Sequence, residues 1–221
     1  MTDIAGNYQG ITERIRNAAS RSGRSGDAVQ LIAVSKTVPP ESIRQAVACG
    51  VTHLGENRLQ EALIKREALT SLPLTWHFIG HVQTNKAKKI AANFAWVHSV
   101  DRLAVGDALS RSVAGPDRLQ VLIEVKLEDE PNKSGAAENE LPGLVASMRD
   151  LEGLNLRGLM AVPPPVDDPE QARPYFRRLR ELAHNLGLRE LSMGMTHDFE
   201  IAVEEGATMV RIGTGLFGAR K

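Results

Sequence analysis

Along this chain the apolar residues keep switching between helical spacing and short unbroken runs, and that alternation lays out a fold. Ile4, Tyr8, Ile11 and Ile15 recur at helical spacing with Arg and Glu between them, and Gly23 and Gly26 end the pattern, so a leading helix is predicted from residue 3 to about 22. Leu31-Ile32-Ala33-Val34-Ser35-Lys36 is apolar on both faces and stops at Thr37-Val38-Pro39-Pro40, which is how a fully buried parallel strand reads. The same unit then returns. Strands are predicted at 53–56, 76–79, 94–100, 119–125, 156–160, 190–192 and 208–212. Helices are predicted at 39–49, 58–69, 85–92 with Thr84 as cap, 101–113, 138–151, 168–186 and 198–205. Val162-Pro163-Pro164-Pro165 removes three ladder donors and is a loop. Asp168-Pro169-Glu170-Gln171 opens the following helix with a capping Asp, a first-turn Pro and a Gln three residues on. Eight strands alternating with helices favour an α/β protein built as one closed (β/α)8 TIM-type barrel with an extra N-terminal helix, over an open doubly wound sheet. A single domain is expected over 1–221, a length one such barrel can occupy.

Composition narrows the partners. The 27 basic and 27 acidic residues balance, so the overall field favours neither nucleic acid nor an anionic membrane. No run of eighteen apolar residues occurs, and the first fifteen residues lack the apolar core of a signal peptide, so a soluble cytoplasmic protein is expected. The single cysteine, Cys49, cannot form an internal disulfide and reads as a small buried hydrophobe.

The first strand ends on a lysine. If Lys36 points the way Val34 and Ile32 do, its amine stands over apolar neighbours, where desolvation disfavours the ammonium form and suits it to carbonyl chemistry; the plainer alternative is a lysine snorkelling from a strand end. At the C-terminal mouth of such a barrel, phosphate sites commonly use the loops after strands seven and eight. Ser192-Met193-Gly194-Met195-Thr196 and Gly213-Thr214-Gly215 stand there, either as a phosphate cradle or as ordinary turns. Closure would bring strand eight beside strand one, and with it Arg211 beside Lys36. A ligand with a phosphate, an aldehyde and a ring acceptor would answer all three features; an internal salt bridge of Arg211 with Glu56 or Glu124 is the competing reading.

Seven segments in order between about Val29 and Arg220 carry a family resemblance: Ala33-Val34-Ser35-Lys36, Gly55-Glu56-Asn57, His77-Phe78-Ile79-Gly80, Lys133-Ser134-Gly135, Gly158-Leu159-Met160-Ala161, Ser192-Met193-Gly194-Met195 and Arg211-Ile212-Gly213-Thr214. Together they resemble the pyridoxal phosphate homeostasis proteins, which are similar to the N-terminal barrel domain of alanine racemases. The resemblance implies that Lys36 carries the Schiff base to pyridoxal 5'-phosphate and that Arg211 faces the pyridine nitrogen. It implies that Ser192, Gly194, Gly213 and Thr214 hold the phosphate, that Met195 lies in the same cofactor-binding loop, that Asn57 and Met160 line the ring, and that Lys133 is a second cofactor-handling lysine. Two departures stand out: Lys126 replaces an expected Asn, adding an amine near the mouth, and Thr196-His197 replaces the more usual Ser and its neighbour while keeping a hydroxyl.

Other features carry less. His77 and His81 are four apart but straddle a strand and its loop, which makes hydrogen-bonded histidines the plain reading and zinc a poor one. Lys86, Lys88 and Lys89 form one basic turn without interleaved aromatics, a solvated face. The expected function is therefore a monomeric pyridoxal phosphate carrier in cofactor homeostasis, without efficient turnover, whose partners are the cofactor and apo enzymes that use it, with no nucleic acid and no membrane. No second domain that could bring the opposite-face tyrosine of a racemase is expected after Lys221. An amino-acid racemase or related cofactor-dependent enzyme is the alternative, and a cofactor-free Schiff-base aldolase a third reading that would leave the phosphate loops and Arg211 without a role.

Overall fold

The computed structural model describes residues 2–128 and 134–219. Its strands β1 (Gln30–Val34), β2 (His53–Glu56), β3 (Thr75–Phe78), β4 (Trp96–Val100), β5 (Leu119–Glu124), β6 (Leu154–Met160), β7 (Glu190–Ser192) and β8 (Met209–Ile212) are parallel and close in sequence order, with β8 back beside β1. Helices α1 (Ile4–Arg21), α2 (Pro40–Ala48), α3 (Leu59–Ala68), α4 (Ala87–Ala91), α5 (Leu103–Ser110), α6 (Leu141–Arg149), α7 (Arg173–Asn185), α8 (Phe199–Glu204) and α9 (Thr214–Phe217) surround them. The closed barrel and the extra N-terminal helix are those the alternation predicts. Among the described residues no helix is long and apolar enough to cross a membrane.

Strand alternation divides the core in two. Leu31, Ala33, Leu54, Val121, Ile123 and Val210 face the helices and join the large outer core, whereas Ile32, Leu122, Met160 and Met209 meet one another inside the barrel with Trp96 and Val162 against them. In the β1–β8 register Ile32 lies opposite Arg211, so an arginine shares the layer just below the mouth.

Asp3 caps α1, its carboxylate accepting from the Gly6 N–H at 2.9 Å, and Ile4, Ile11 and Ile15 are buried on the inner face of the helix. Arg14 and Arg21 reach Glu200 and Glu204 on α8 at 2.5 and 2.6 Å, which ties the leading helix to the last βα unit.

Several boundaries shift. β1 ends at Val34, because after Ser35 donates to Gly55 O the Val38 N–H turns back onto Ser35 O, so Lys36 sits just past the strand. Residues 84–86 form a 3-10 turn and α4 is only five residues long; Thr84 lies within that turn and makes no cap. Gly213 is followed at once by the short helix α9. Cys49 is half-buried at the C-terminus of α2 rather than fully inside.

Because Ile15 is buried against the barrel, Ile15→Ala is expected to cost about 2–4 kcal/mol of stability in urea denaturation. A loss near zero would mean that α1 does not belong to the cooperative unit.

Candidate functional site

A cavity of about 400 Å³ opens at the C-terminal mouth, within the size range of small-ligand sites. Val34, Ile79 and Val162 give it apolar walls; Lys36, Asn57 and Arg211 bring polar groups from the ends of β1, β2 and β8; Met195, Thr196, His197, Gly213 and Thr214 close it from the loops after β7 and β8. Val34 and Lys36 both reach it, two residues apart, as strand alternation requires.

The backbone around Lys36 is clamped from below. Thr37 has φ +63, the only positive value at a non-glycine among the described residues, so this loop holds a strained conformation that its surroundings must enforce. Glu61 on α3 accepts from the Thr37 N–H at 2.5 Å, and the Lys65 ammonium donates to the Ser35 carbonyl on the other side of Lys36. Lys65 is itself buried and pairs with Glu61 at 2.6 Å and Glu56 at 2.7 Å, while Ser35 Oγ donates to the same Glu56 oxygen at 2.7 Å. Burial pushes the Glu56 carboxyl above the usual range, and the bonds from Lys65 and Ser35 draw part of that back. Its other oxygen, Oε2, is buried without a partner.

Arg211 is only 5 % exposed. Its Nη1 donates to Ser192 O at 2.7 Å and Ser192 Oγ at 2.6 Å, and its Nη2 to Ala161 O at 3.0 Å. Burial pulls it down to about 10, with the charges of Glu124 and Asp198 acting in the opposite sense, so the guanidinium is still charged at neutral pH. Among the described residues three of its five N–H groups are engaged, and the side chain borders the cavity.

The loop after β7 needs its glycine. Gly194 has φ +87, and a Cβ there would stand 2.5 Å from that of Ala202 on α8. Asp198 accepts from the Met195 N–H at 2.7 Å, and Thr196 Oγ1 accepts from the Gly215 N–H at 3.2 Å and lies 3.3 Å from Thr214 Oγ1, so the two loops meet through hydroxyl and amide groups beside Gly213. A cluster of small hydroxyl and N–H donors opposite an amine and a guanidinium can hold an anionic group at one end of the cavity and a carbonyl at the other.

Of the residues singled out from the sequence, Lys36, Asn57, Met195, Arg211, Gly213 and Thr214 line the cavity together. Three do not line it. Met160 belongs to the apolar layer beneath, Ser192 is fully buried with its hydroxyl bonded to Arg211 and to His98, and Gly194 shapes the loop from behind. The competing salt bridge from Arg211 to Glu56 does not form, since Glu56 points outward to α3 and Lys65. Lys126 does not line this cavity but a separate cleft, with Leu127, Glu128, Ala137, Glu138 and Asn139. Lys133 lies outside the described residues. His77 is buried inside the barrel and hydrogen-bonded to two other histidines, while His81 is half-exposed near Asp101, so the pair shares no ligand position. Among the described residues no cluster of His, Cys, Asp and Glu could hold a metal ion. Sequence reasoning missed the apolar walls Val34, Ile79 and Val162; their places on or just after strand ends were the available signal.

A closed parallel barrel with a lysine just past its first strand, an arginine on its last and both at one mouth is the class that fold and site define. The sequence profile described as alanine racemase, N-terminal domain, matches residues 7–221. The pyridoxal phosphate homeostasis protein of Pseudomonas aeruginosa is 50% identical over 100% of this chain and 97% of its own length, and that of Aquifex aeolicus 47% identical over 96% of each. The solved structure of PipY from Synechococcus elongatus, with PLP bound, superposes with a TM-score of 0.83 at 40% identity, covering 94% of this chain and 100% of PipY. The chain belongs to the pyridoxal phosphate homeostasis protein family. Alanine racemase from Corynebacterium glutamicum, at 19% identity and a TM-score of 0.67 over 62% of its length, shares the barrel fold.

Replacing Lys65 with Met strands Glu56 without a counter-ion. Lys65→Met is expected to cost about 3–5 kcal/mol of stability near neutral pH. Lys65 is one of the groups that lower the Glu56 pKa, so its removal raises a folded-state value already above the unfolded one. The ionised form then destabilises the fold as pH rises through that value, and the deficit against wild type should shrink as pH falls from about 8 towards about 5. Urea titrations at several pH values check this, and a pH-independent deficit would contradict it.

Proposed function

We propose that this chain binds pyridoxal 5'-phosphate at the barrel mouth, with Lys36 as the amine that meets the aldehyde, and serves cofactor homeostasis as a carrier without efficient turnover. The observation that carries this reading is one cavity in which Lys36, Arg211 and the Thr196–Gly213–Thr214 donors converge, on a chain whose relatives are named for pyridoxal phosphate homeostasis. The residues present fit the group: an apolar slot between Val34, Ile79 and Val162 suits a ring, Asn57 borders it, the Arg211 guanidinium suits a ring nitrogen, and the hydroxyl-rich loops suit a phosphate. Bound there, the cofactor supplies an aldehyde that condenses reversibly with amines. The finer parts of the reading are that Met160, Ser192 and Gly194 act from behind the cavity wall, that the protein works as a cytoplasmic monomer, and that it hands cofactor to apo enzymes.

The carrier reading rests on acid–base placement. Racemisation removes an α-proton on one face and returns it on the other, so it needs two groups on opposite sides. Lys36 can serve one face. The described tyrosines are elsewhere: Tyr8 packs on Gly50 from α1, and Tyr175 on α7 bonds Glu128. His197 borders the cavity, but its Nε2 is 3.1 Å from Asp167 O and its ring is exposed. A charged arginine at the ring nitrogen would also disfavour its protonation and weaken the electron sink.

Borohydride reduction followed by peptide mapping is expected to leave the pyridoxyl group on Lys36; label confined to Lys126 would overturn the assignment. Added pyridoxal phosphate should also raise the melting temperature, a stabilisation of about 2.7 kcal/mol at roughly 100 times the Kd.

With cofactor bound, α-deuterium exchange of alanine and other amino acids should run far below about 1 per second. Exchange at or above that rate would make the protein an enzyme and His197 the base to test.

A further inference from the structure

Barrels of this kind fill their interiors mostly with branched aliphatic side chains, yet here three imidazoles stand in a row inside. His53 Nδ1 is 2.8 Å from His77 Nε2, His77 Nδ1 is 2.9 Å from His98 Nε2, and His98 Nδ1 is 2.9 Å from Ser192 Oγ, which accepts from Arg211. The row starts at a half-exposed side chain on the first residue of β2, crosses β3 and β4, spans the barrel to β7 and ends at the guanidinium that borders the cavity. In the strand register His77 lies opposite Gly55 and Trp96, so each histidine is two residues further along its strand than the one before, which puts all three on inward-facing positions. His77 and His98 are fully buried, Trp96 stacks on His77 at 5.7 Å, and both imidazoles are held well below the usual histidine range by burial and by their charged or titratable neighbours. They are neutral, and each therefore carries one ring proton.

The direction of the row follows from its end. A guanidinium can only donate, so Ser192 Oγ must accept from Arg211. The hydroxyl proton then needs an acceptor, and among the described residues His98 Nδ1 is the one within reach. With Nδ1 accepting, His98 carries its proton on Nε2 and donates to His77 Nδ1. The same logic puts the proton of His77 on Nε2, donating to His53 Nδ1. The opposite direction would point an N–H of His98 at an oxygen that already accepts from Arg211 and would leave the buried hydroxyl proton without a partner, a cost the direction argued above avoids.

We propose that this histidine row, with His98 as the key positioning residue, holds the Ser192 hydroxyl in its accepting orientation and so locks Arg211 against the cavity wall. His98 touches neither the cavity nor anything in it; it acts through Ser192. Charged groups bear on the row at this end, where Glu124 on β5 and Asp198 before α8 act on Arg211, while at the other end burial lowers the His53 pKa. What Arg211 meets in the cavity rests on the cofactor reading; the direction of the row does not.

The test has two arms. In the first, ring ¹⁵N shifts of the histidines are recorded on the full chain without cofactor. The expected result is that His77 and His98 are neutral with the proton on Nε2, and a charged ring or an Nδ1–H at His98 would overturn the inference. In the second, pyridoxal phosphate affinity and the absorbance of the bound cofactor are compared for wild type, His98→Leu, His98→Asn and Ser192→Ala. Loss of the acceptor in His98→Leu should weaken binding roughly tenfold and shift the absorbance; His98→Asn, which keeps an oxygen near the Nδ1 position, should recover part of both. Should His98→Leu not fold, Ser192→Ala reads the same link from its other end. Wild-type affinity and absorbance in these variants would refute the positioning role, whereas a wild type that fails to bind the cofactor would sink the functional reading and leave the first arm to decide the row.

Discussion

Closure of β8 onto β1 is the constraint on which the site depends. It sets Ile32 opposite Arg211, and from there the chain rises through Val34 to Lys36 on the same inward side. An arginine and a lysine far apart in sequence therefore share one mouth. In an open sheet these strands would lie at different edges, and neither the apolar slot between them nor the loop cluster after β7 and β8 would form around a common ligand. The N-terminal helix contributes to the same end. By docking on α8 through two arginine–glutamate pairs, it braces the unit that carries Gly194 and Thr196.

Two cations at one mouth are supported by different means. Lys36 is fixed through its backbone: Lys65 and Glu61 hold the residues on either side of it, and a buried carboxylate anchors Lys65 in turn. A long side chain with a free terminus remains, which suits an amine that must approach and leave a carbonyl carbon. Arg211 is fixed through its side chain, by two carbonyls and a hydroxyl, with little freedom left. Immobilising a guanidinium costs side-chain entropy and desolvation, so the return has to come from the directional bonds around it. On the proposed reading, that pairing of an unclamped amine with a fixed charge suits holding a molecule better than reshaping its electronics through a reaction.

Much of this was legible in the residues. The eight strands, their order and the leading helix follow from periodicity because a barrel repeats one local unit, and local units are what periodicity reports. Lys36, Asn57, Arg211, Gly213 and Thr214 could be placed at the mouth because each stands at or just after a strand end. The parts that stayed hidden depend on direction and distance across the barrel. Ser192 has the same strand-end position as a ligand-binding hydroxyl, yet faces inward to Arg211 and His98. Lys126 follows the end of β5 at Glu124, where strand alternation no longer fixes a side chain's direction, and it lines a different cleft. Thr84 has the residue type of a cap, but the 3-10 turn takes it into the helix. His53, His77 and His98 are separated by more than twenty residues each, so no local pattern relates them, and only the register of three adjacent strands does.

The polar interior also bears on why the site can exist beneath a fully closed sheet. A charged guanidinium among Ile32, Leu122, Met160 and Met209 alone would face only low-polarizability neighbours and would be driven towards neutrality or out to solvent. Two carbonyls, one hydroxyl and the fields of Glu124 and Asp198 keep it charged in place. The hydroxyl can serve only if its own proton goes elsewhere, and a neutral imidazole accepts it without adding a second charge to the layer. A carboxylate in the place of His98 would also accept that proton, but it would neutralise Arg211 and remove the positive field from the cavity; an aliphatic side chain would leave the hydroxyl unsatisfied. Neutral histidine meets both demands at once, and having met them it carries a ring N–H that needs an acceptor of its own. Each further imidazole passes that need outward by one strand, until His53 delivers it to the half-exposed end of the barrel where water can satisfy it.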